Sequence, residues 1–115
     1  MQKNFINGQW VAAASGQTLP VHDPSTGEVF DEIARSVTED VNHAVAAARA
    51  TLSGAWGKMT ATERGRILSR MSALILARAE ELAQLEARDT GKPLSQARAD
   101  IQVAARYCEF YGGAA

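Results

Sequence analysis

The stretch 60–93, TATERGRILSRMSALILARAEELAQLEARDTGKP, decides the fold of this chain. Thr60 and Glu63 have the spacing of a capping box, in which each side chain satisfies a backbone donor near the other. Apolar residues follow at intervals typical of a buried helix face: Ile67, Leu68, Met71, Leu74, Ile75, Leu82 and Leu85. The stretch predicts one long amphipathic helix that begins near Ala61 and ends at Gly91, a residue that tolerates the left-handed conformation.

A further amphipathic helix is predicted on each side of this stretch. The earlier one spans residues 38–53, where Thr38 can cap the first turn and Gly54 stops the last. Its expected buried face is Val41, Ala44, Val45, Ala48 and Leu52. The later one follows Gly91, and Pro93 suits its first turn. Its expected buried face is Leu94, Ala97, Ile101, Ala104, Cys108 and Tyr111.

Short strands are predicted before the first helix. Asn7-Gly8 is the pair that best tolerates positive φ at both central positions of a type I′ turn, so it indicates a β-hairpin. A second turn is expected at residues 23–27, DPSTG, and a strand at residues 28–36. The predicted fold class is therefore α/β, with residues 1–37 as an arm of hairpin and strand and residues 38–115 as a helical part.

Composition restricts the class of protein. The 115 residues carry 12 basic and 13 acidic side chains in interspersed order, which argues against a nucleic-acid-binding surface. The N-terminus lacks the apolar core of a secretory signal, and no apolar run approaches the roughly 20 residues that cross a bilayer. The single cysteine cannot form an internal disulfide, which suits a reducing compartment. We therefore expect a cytoplasmic protein that binds neither nucleic acid nor membranes.

No catalytic residue is predicted within the chain. Cys108 lies on an apolar helix face, and the sequence suggests no cation or base to activate it, so we expect a buried structural thiol. His22 and His43 lack metal-ligand spacing. Residues 90–93, TGKP, lack the glycine-rich run of a phosphate-binding loop, and Gly112-Gly113 is too short for a dinucleotide-binding motif.

Seven short motifs follow one another along the chain. They are FINGQW at 5–10, DPSTGEV at 23–29, DV with AVAAA at 40–48, Trp56, ER with IL at 63–68, LE with DTGKP at 85–93, and Y with FYG at 107–112. Each is weak alone, but in this order they resemble the N-terminal region of the aldehyde dehydrogenase superfamily. The resemblance covers essentially the whole chain and implies an incomplete N-terminal portion of the cofactor-binding domain of that fold.

The resemblance implies an enzyme that oxidises an aldehyde to a carboxylic acid with NAD or NADP and forms a homodimer or homotetramer at full length. In such enzymes a cysteine thiolate attacks the aldehyde, an amide and a backbone N–H stabilise the oxyanion, hydride passes to the nicotinamide, and a glutamate activates water. None of these residues has a counterpart here. The chain alone is expected to be inactive, and its task to be structural, against the remaining part of the same polypeptide.

The resemblance also implies a monovalent cation site. Many members of that family hold K⁺ or Na⁺ at positions that correspond to Val21, His22 and Asp89. The first two would contribute backbone carbonyls and Asp89 a carboxylate, and oxygen ligands suit such a hard cation. The alternative for Asp89 is a surface role near a helix C-terminus, where carboxylates are common.

A different class of protein is also open at this point. The chain could be a complete small helical module that binds a partner through its apolar helix faces. Three amphipathic helices with few strand residues, and an ending GGAA at 112–115, instead favour an incomplete domain. A reading frame that continues into the missing catalytic motifs would exclude the module.

Overall fold

Strands lie before residue 35 and helices after residue 37 in the computed structural model, which describes residues 1–114. The strands are β1 (Asn4–Ile6), β2 (Gln9–Val11), β3 (Thr18–His22) and β4 (Val29–Ala34). The helices are α1 (Thr38–Ser53), α2 (Ala55–Lys58), α3 (Ala61–Ala77), α4 (Ala79–Thr90) and α5 (Leu94–Ala114). The chain divides into two compact units, Met1–Lys58 and the residues from Met59 onward. The first unit therefore combines all four strands with α1 and α2.

The first hairpin has the predicted turn. β1 and β2 pair antiparallel around Asn7 and Gly8, whose φ angles are 52° and 76°. Positive φ at both positions is what a type I′ turn requires, so this prediction is confirmed. Phe5 and Trp10 face each other across the two strands, with ring centroids 4.9 Å apart.

The second hairpin joins β3 and β4 through the predicted turn. The carbonyl of Asp23 accepts a hydrogen bond from Gly27 N–H at 2.7 Å, and its carboxylate accepts one from Ser25 N–H at 2.8 Å. The predicted strand at 28–36 is confirmed over Val29–Ala34 and is shorter than predicted at both ends. β3 was not predicted because Pro20 lies inside it, and proline is tolerated only where a strand edge needs no N–H donor.

α1 has the predicted bounds but a different cap. Val37, not Thr38, is the N-cap residue, and its N–H donates to Asp40 Oδ2 at 2.8 Å. The prediction of Thr38 as the cap is wrong, because the acid in the first turn reaches back to the free backbone donor and a hydroxyl is not needed. Gly54 ends the helix as predicted, with its N–H bonded to the carbonyl of Thr51 at 3.2 Å.

The apolar face predicted for α1 is not buried within the first unit. Val41 is 56% exposed and Leu52 is 71% exposed. The prediction that this face is buried is therefore wrong, because the short strands of this unit offer too little surface to cover a 16-residue helix. Its apolar periodicity is nonetheless that of an amphipathic helix.

The long helix predicted from Ala61 to Gly91 is two helices. Its start is confirmed: Thr60 N–H donates to Glu63 Oε2 at 2.7 Å, and Glu63 N–H donates to Thr60 Oγ1 at 3.2 Å. The chain leaves the helical conformation at Arg78, where φ is −116° and ψ is 22°. Prediction of a single helix is therefore wrong, since the break allows α3 and α4 each to contact α5.

Arg78 itself stabilises the start of α4. Its Nε donates to Glu81 Oε2 at 2.9 Å, and Glu80 and Glu81 place negative charge in the first turn of the new helix. Acidic side chains are favourable at that end of the helix dipole. The break contains neither glycine nor proline and is stabilised by these charged side chains instead. The apolar pattern of the sequence therefore continues across it.

α5 crosses α3 at very short range. A Cβ atom added to Gly112 would lie 2.8 Å from the Gly65 carbonyl oxygen and 3.1 Å from Ser69 Oγ. Ala97 and Ala105 are fully buried on α5, as is Ala83 on α4. Two helices can approach this closely only where small residues meet, so alanine and glycine form the contact between the helices of this unit.

The contact shifts the buried face of α5 from the predicted one. Leu94, Ala97, Ile101 and Cys108 lie on the buried or half-buried side as predicted. Ala104 and Tyr111 are exposed, and Ala105 and Gly112 occupy the inner positions instead. The prediction is wrong at these two positions because the inner face follows the register of Ala97, Ala105 and Gly112, and the close crossing leaves no space for a side chain at Gly112.

Candidate functional site

The turn between α4 and α5 is built from the residues of the TGKP motif. Gly91 has φ 74° and ψ 6°, the predicted left-handed conformation, and its N–H bonds to the Ala87 carbonyl at 2.9 Å. Thr90 Oγ1 donates to the Glu86 carbonyl at 2.7 Å. The carbonyl of Pro93 accepts hydrogen bonds from the N–H groups of Gln96 and Ala97, and helix α5 begins at Leu94, directly after Pro93.

Lys92 ties the two helices together. Its Nζ lies 2.6 Å from Glu86 Oε1 on α4 and 2.8 Å from Asp100 Oδ2 on α5. The hydrogen bonds to Asp100 and then to Glu86 raise the pKa of Lys92. The ammonium is half-buried and two carboxylates already share it, so its role in this unit is structural. The sequence alone did not predict this role.

A second ion pair joins the same helices. Arg98 on α5 donates two hydrogen bonds to the Glu80 carboxylate on α4, each at 2.8 Å. The contact with Arg98, and then the one with Gln84, lowers the pKa of Glu80 to about 2. Both side chains are exposed, so the pair adds orientation more than stability.

One buried carboxylate links two segments of the first unit. Asp40 is only 6% exposed, and its two oxygens accept hydrogen bonds from Val37 N–H at 2.8 Å and from Ala14 N–H at 2.9 Å. The hydrogen bond from Val37 N–H, and after it the one from Ala14 N–H, lowers the pKa of Asp40. The side chain thereby fixes the loop before β3 to the first turn of α1. The sequence indicated only a charge near the helix dipole at this position.

The three residues predicted as cation ligands lie in different units. Val21 and His22 are neighbours near the end of β3, where the register with β4 shifts, and His22 Nδ1 lies 3.3 Å from the Gly27 carbonyl oxygen. Asp89 is exposed on the last turn of α4. Val21 and His22 are thus close because they are adjacent in the sequence. The complete cation site stays a prediction. Among residues 1–114, no group of three His, Cys, Asp or Glu side chains could hold a metal ion.

Cys108 is half-buried on α5. It lies between Ala105 and Gly112 on the inner side of the helix, which agrees with a structural thiol that is less deeply buried than predicted. His22 is exposed on β3 and His43 is exposed on α1, both in the other unit. A lone half-buried thiol of this kind behaves as a small apolar side chain.

Large apolar side chains are exposed on the outer side of α5. They line an open depression of about 490 Å³ together with Gln102 and Arg106. We call this surface the aromatic face, and it consists of Val103, Tyr107, Phe110 and Tyr111. No helix within the described part of the chain is both long and apolar enough to span a membrane. Large apolar side chains are also exposed on the strands, Phe5 and Trp10 among them.

Comparison with known proteins identifies a single family. Residues 10–115 match the family model described as "Aldehyde dehydrogenase family". The Arabidopsis thaliana protein "Aldehyde dehydrogenase family 2 member B4, mitochondrial" is 47% identical over 111 residues, which are 95% of this chain and 21% of that protein. The benzaldehyde dehydrogenase of Antirrhinum majus, also named as mitochondrial, is 46% identical, over 96% of this chain and 21% of that protein.

Solved structures agree with these matches. A chain from Burkholderia cenocepacia classed as an aldehyde dehydrogenase is 55% identical and superposes with a TM-score of 0.96, over 97% of this chain and 24% of that chain. A betaine aldehyde dehydrogenase variant from Staphylococcus aureus in complex with NAD⁺ is 34% identical, with a TM-score of 0.92 over 97% of this chain and 23% of that one. The chain therefore spans less than a quarter of the length of these relatives.

Proposed function

This chain belongs to the aldehyde dehydrogenase family, and we propose on that premise that it is the N-terminal part of an NAD(P)-dependent enzyme that oxidises an aldehyde to a carboxylic acid. The observation that carries the proposal is the match of residues 10–115 to the family model. The NAD⁺ complex of the Staphylococcus aureus relative supports the cofactor class. The complete polypeptide, of a length comparable to the relatives, is called the full-length enzyme below.

Within that enzyme we assign a structural task to this chain. The balanced reaction converts an aldehyde, water and NAD(P)⁺ into a carboxylic acid, NAD(P)H and a proton, and it needs a nucleophile, an oxyanion site and a base. Residues 1–114 place a half-buried Cys108 on a helix and engage Lys92 in ion pairs. By this proposal residues 1–115 form an incomplete part of the cofactor-binding domain, and the reacting groups belong to the rest of the enzyme.

Turnover tests the proposal directly. The full-length enzyme should reduce NAD⁺ or NADP⁺ when an aliphatic or aromatic aldehyde is added, as followed by the absorbance of the reduced nicotinamide. The 115-residue chain alone should give no signal under the same conditions. An inactive full-length enzyme across both aldehyde classes and both cofactors would contradict the assignment of the activity. Turnover by the short chain would contradict the assignment of the catalytic groups.

The cation site belongs to the same proposal. Carbonyl oxygens of Val21 and His22 and the carboxylate of Asp89 would bind K⁺ or Na⁺ in the full-length enzyme. Asp89→Ala should weaken the dependence of activity or melting temperature on K⁺ or Na⁺, with Glu109→Ala, an exposed acid on α5, as the control. An identical cation response in the wild type and Asp89→Ala would assign Asp89 to the surface role instead.

The proposal also includes the cellular compartment and the subunit number of the full-length enzyme. We propose a cytoplasmic enzyme, since the single cysteine of residues 1–115 cannot form a disulfide within them. We also propose a homodimer or homotetramer, as the family resemblance implies. The plant relatives are named as mitochondrial proteins, so localisation of a C-terminally tagged full-length enzyme separates the two compartments. Light scattering on the purified enzyme gives its subunit number, and a monomer would contradict the proposed assembly.

The second candidate function is a helical module that binds a partner protein. It is favoured by the exposed apolar side chains on α1 and α5. The reading frame distinguishes the two candidates. Continuation beyond residue 115 into coding sequence for the rest of an aldehyde dehydrogenase excludes the module, and a stop codon there supports it.

A further inference from the structure

The turn of the first hairpin brings a reactive pair of residues to the surface. Asn7 and Gly8 are both exposed, and a Cβ atom added to Gly8 would meet nothing within 4 Å. Water therefore reaches the peptide bond between them. This peptide joins a side-chain amide to a backbone nitrogen that no neighbouring side chain shields.

The Asn7–Gly8 peptide bond also lies outside the paired positions of the hairpin. The pair that flanks the turn is Ile6 and Gln9. In a two-residue loop the closing hydrogen bond joins these flanking residues. The Asn7 carbonyl and the Gly8 N–H can therefore change orientation without loss of a bond between β1 and β2.

Positive φ at Asn7 favours one particular change of orientation. The φ angles of 52° at Asn7 and 76° at Gly8 are those of a type I′ turn. A type II′ turn also closes a two-residue hairpin, and it keeps positive φ at the first position while the second becomes negative. Rotation of the single Asn7–Gly8 peptide interconverts the two turns, and glycine permits both signs of φ. The rotation turns the Gly8 nitrogen toward the side chain of Asn7.

We propose that Asn7-Gly8 is a site of spontaneous deamidation and isomerisation. Hydroxide removes the proton of Gly8 N–H, and the nitrogen attacks Cγ of Asn7. The new N–Cγ bond closes a succinimide ring, the Cγ–Nδ2 bond breaks, and the amide nitrogen leaves as ammonia. Water then opens the ring at either carbonyl to give aspartate or isoaspartate. One water is consumed and one ammonia is released, with no oxidant or reductant.

The other two asparagines of the chain are Asn4 and Asn42. Asn42 is exposed on α1, where helical hydrogen bonds fix the orientation of each peptide. Asn4 is half-buried on β1, and its Oδ1 accepts a hydrogen bond from Ser36 Oγ at 2.9 Å. Since neither has the turn, we expect the reaction at Asn7, and Asn42 is the matched comparison because its amide is equally open to water.

The modification should loosen the hairpin. Isoaspartate places the Cβ of residue 7 in the main chain, so the loop becomes longer than the two-residue loop that fixes the register. The pairing of Ile6 with Gln9 should weaken first, since it lies next to the turn. Backbone amides of β1 and β2 should then exchange hydrogen several-fold faster in the modified enzyme than in the fresh one.

Peptide mapping of the native full-length enzyme, aged in mildly alkaline buffer, tests the inference. The peptide that contains residue 7 should gain the mass expected when an amide NH₂ is replaced by OH, several-fold faster than the peptide that contains Asn42. Fragmentation should identify isoaspartate together with aspartate. Equal gains at both positions, aspartate as the sole product, or a gain that is seen only in urea would overturn the inference.

Two variants give a second readout. Asn7→Gly retains a pair that tolerates positive φ at both positions but lacks the amide, so its peptide should gain no mass. Asn42→Gln should leave the gain at residue 7 unchanged. A gain in Asn7→Gly equal to that of the wild type would assign the reaction to another residue. The readout is a mass, so it does not depend on the proposed aldehyde oxidation.

Discussion

The two units of the chain are stabilised in different ways. In the unit from Met59 onward, helices meet through glycine and alanine, and Gly112 leaves no space for a Cβ atom beside Gly65. In the unit Met1–Lys58, the side chain of Asp40 holds two separate backbone segments by hydrogen bonds. We therefore expect a larger side chain to destabilise the unit from Met59 onward most. Loss of a hydrogen-bond acceptor should instead destabilise the unit Met1–Lys58 most.

Gly112→Ala should have the largest effect. The new Cβ would lie 2.8 Å from the Gly65 carbonyl oxygen, so α3 and α5 must separate. Overpacking of this kind costs about 1–3 kcal/mol of unfolding free energy, as measured by denaturant unfolding of the full-length enzyme. Gly113→Ala is the matched control, because a Cβ there meets nothing within 4 Å and alanine favours a helix. Equal losses for both variants would refute the close crossing.

Asp40→Ala should come next. The substitution leaves Val37 N–H and Ala14 N–H without their acceptor, so the loop before β3 should detach from α1. Hydrogen exchange should then increase at these two amides. The neighbouring Glu39→Ala, which changes an exposed acid, should leave both amides protected. Unchanged exchange in Asp40→Ala would contradict the proposed link.

The stability supplied by Asp40 should also depend on pH. Because its folded pKa is lowered from the ordinary 3.8, its contribution is complete above that value and is lost as pH falls through the lower folded pKa. The melting temperatures of the wild type and Asp40→Ala should therefore converge in acid. A constant difference between pH 6 and the acid limit would show that the carboxylate charge is irrelevant.

Lys92→Met should give a smaller loss, within the helical unit. The ammonium ties Glu86 to Asp100, and its removal leaves two carboxylates close together without a cation. The folded pKa of Lys92 is raised above the ordinary 10.5, so its contribution is complete below that value and is lost as pH rises through the folded pKa. Alkaline melting curves of the wild type and Lys92→Met should converge, and Lys58→Met on α2 serves as the control.

Glu80→Gln should have the smallest effect, because both members of its pair with Arg98 are more than half exposed, at 54% each. The folded pKa of Glu80 is about 2 and the ordinary value is 4.5. The contribution of the pair is therefore present above pH 4.5 and disappears as pH falls toward about 2. If Glu80→Gln lowered the melting temperature more than Lys92→Met, the order that we predict for the two ion pairs would be wrong.

Local chemistry made part of the fold predictable. Positive φ at Asn7-Gly8, the Thr60–Glu63 capping box and the left-handed Gly91 each depend on a few neighbouring residues, and all three were predicted correctly. The family could also be inferred from the sequence, because its motifs are turns and helix ends of this local kind.

Long-range packing made the rest unpredictable. The break at Arg78 and the burial of Gly112 depend on how α5 contacts α3 and α4, and no local pattern records that contact. Similarly, Lys92 finds Glu86 six residues before it and Asp100 eight residues after it, across a turn whose geometry must be known first. The sequence indicates these ion pairs only by placing opposite charges on both sides of Gly91.

We propose that this chain is part of an aldehyde-oxidising enzyme and contributes structure rather than reacting groups. Cys108→Ser in the full-length enzyme tests it most directly, since Cys108 is the only thiol of the chain. The measurement is the rate of NAD(P)H formation with an aldehyde that the wild type oxidises. We predict the same rate for the variant and the wild type, and loss of turnover in a variant that melts like the wild type would contradict the claim.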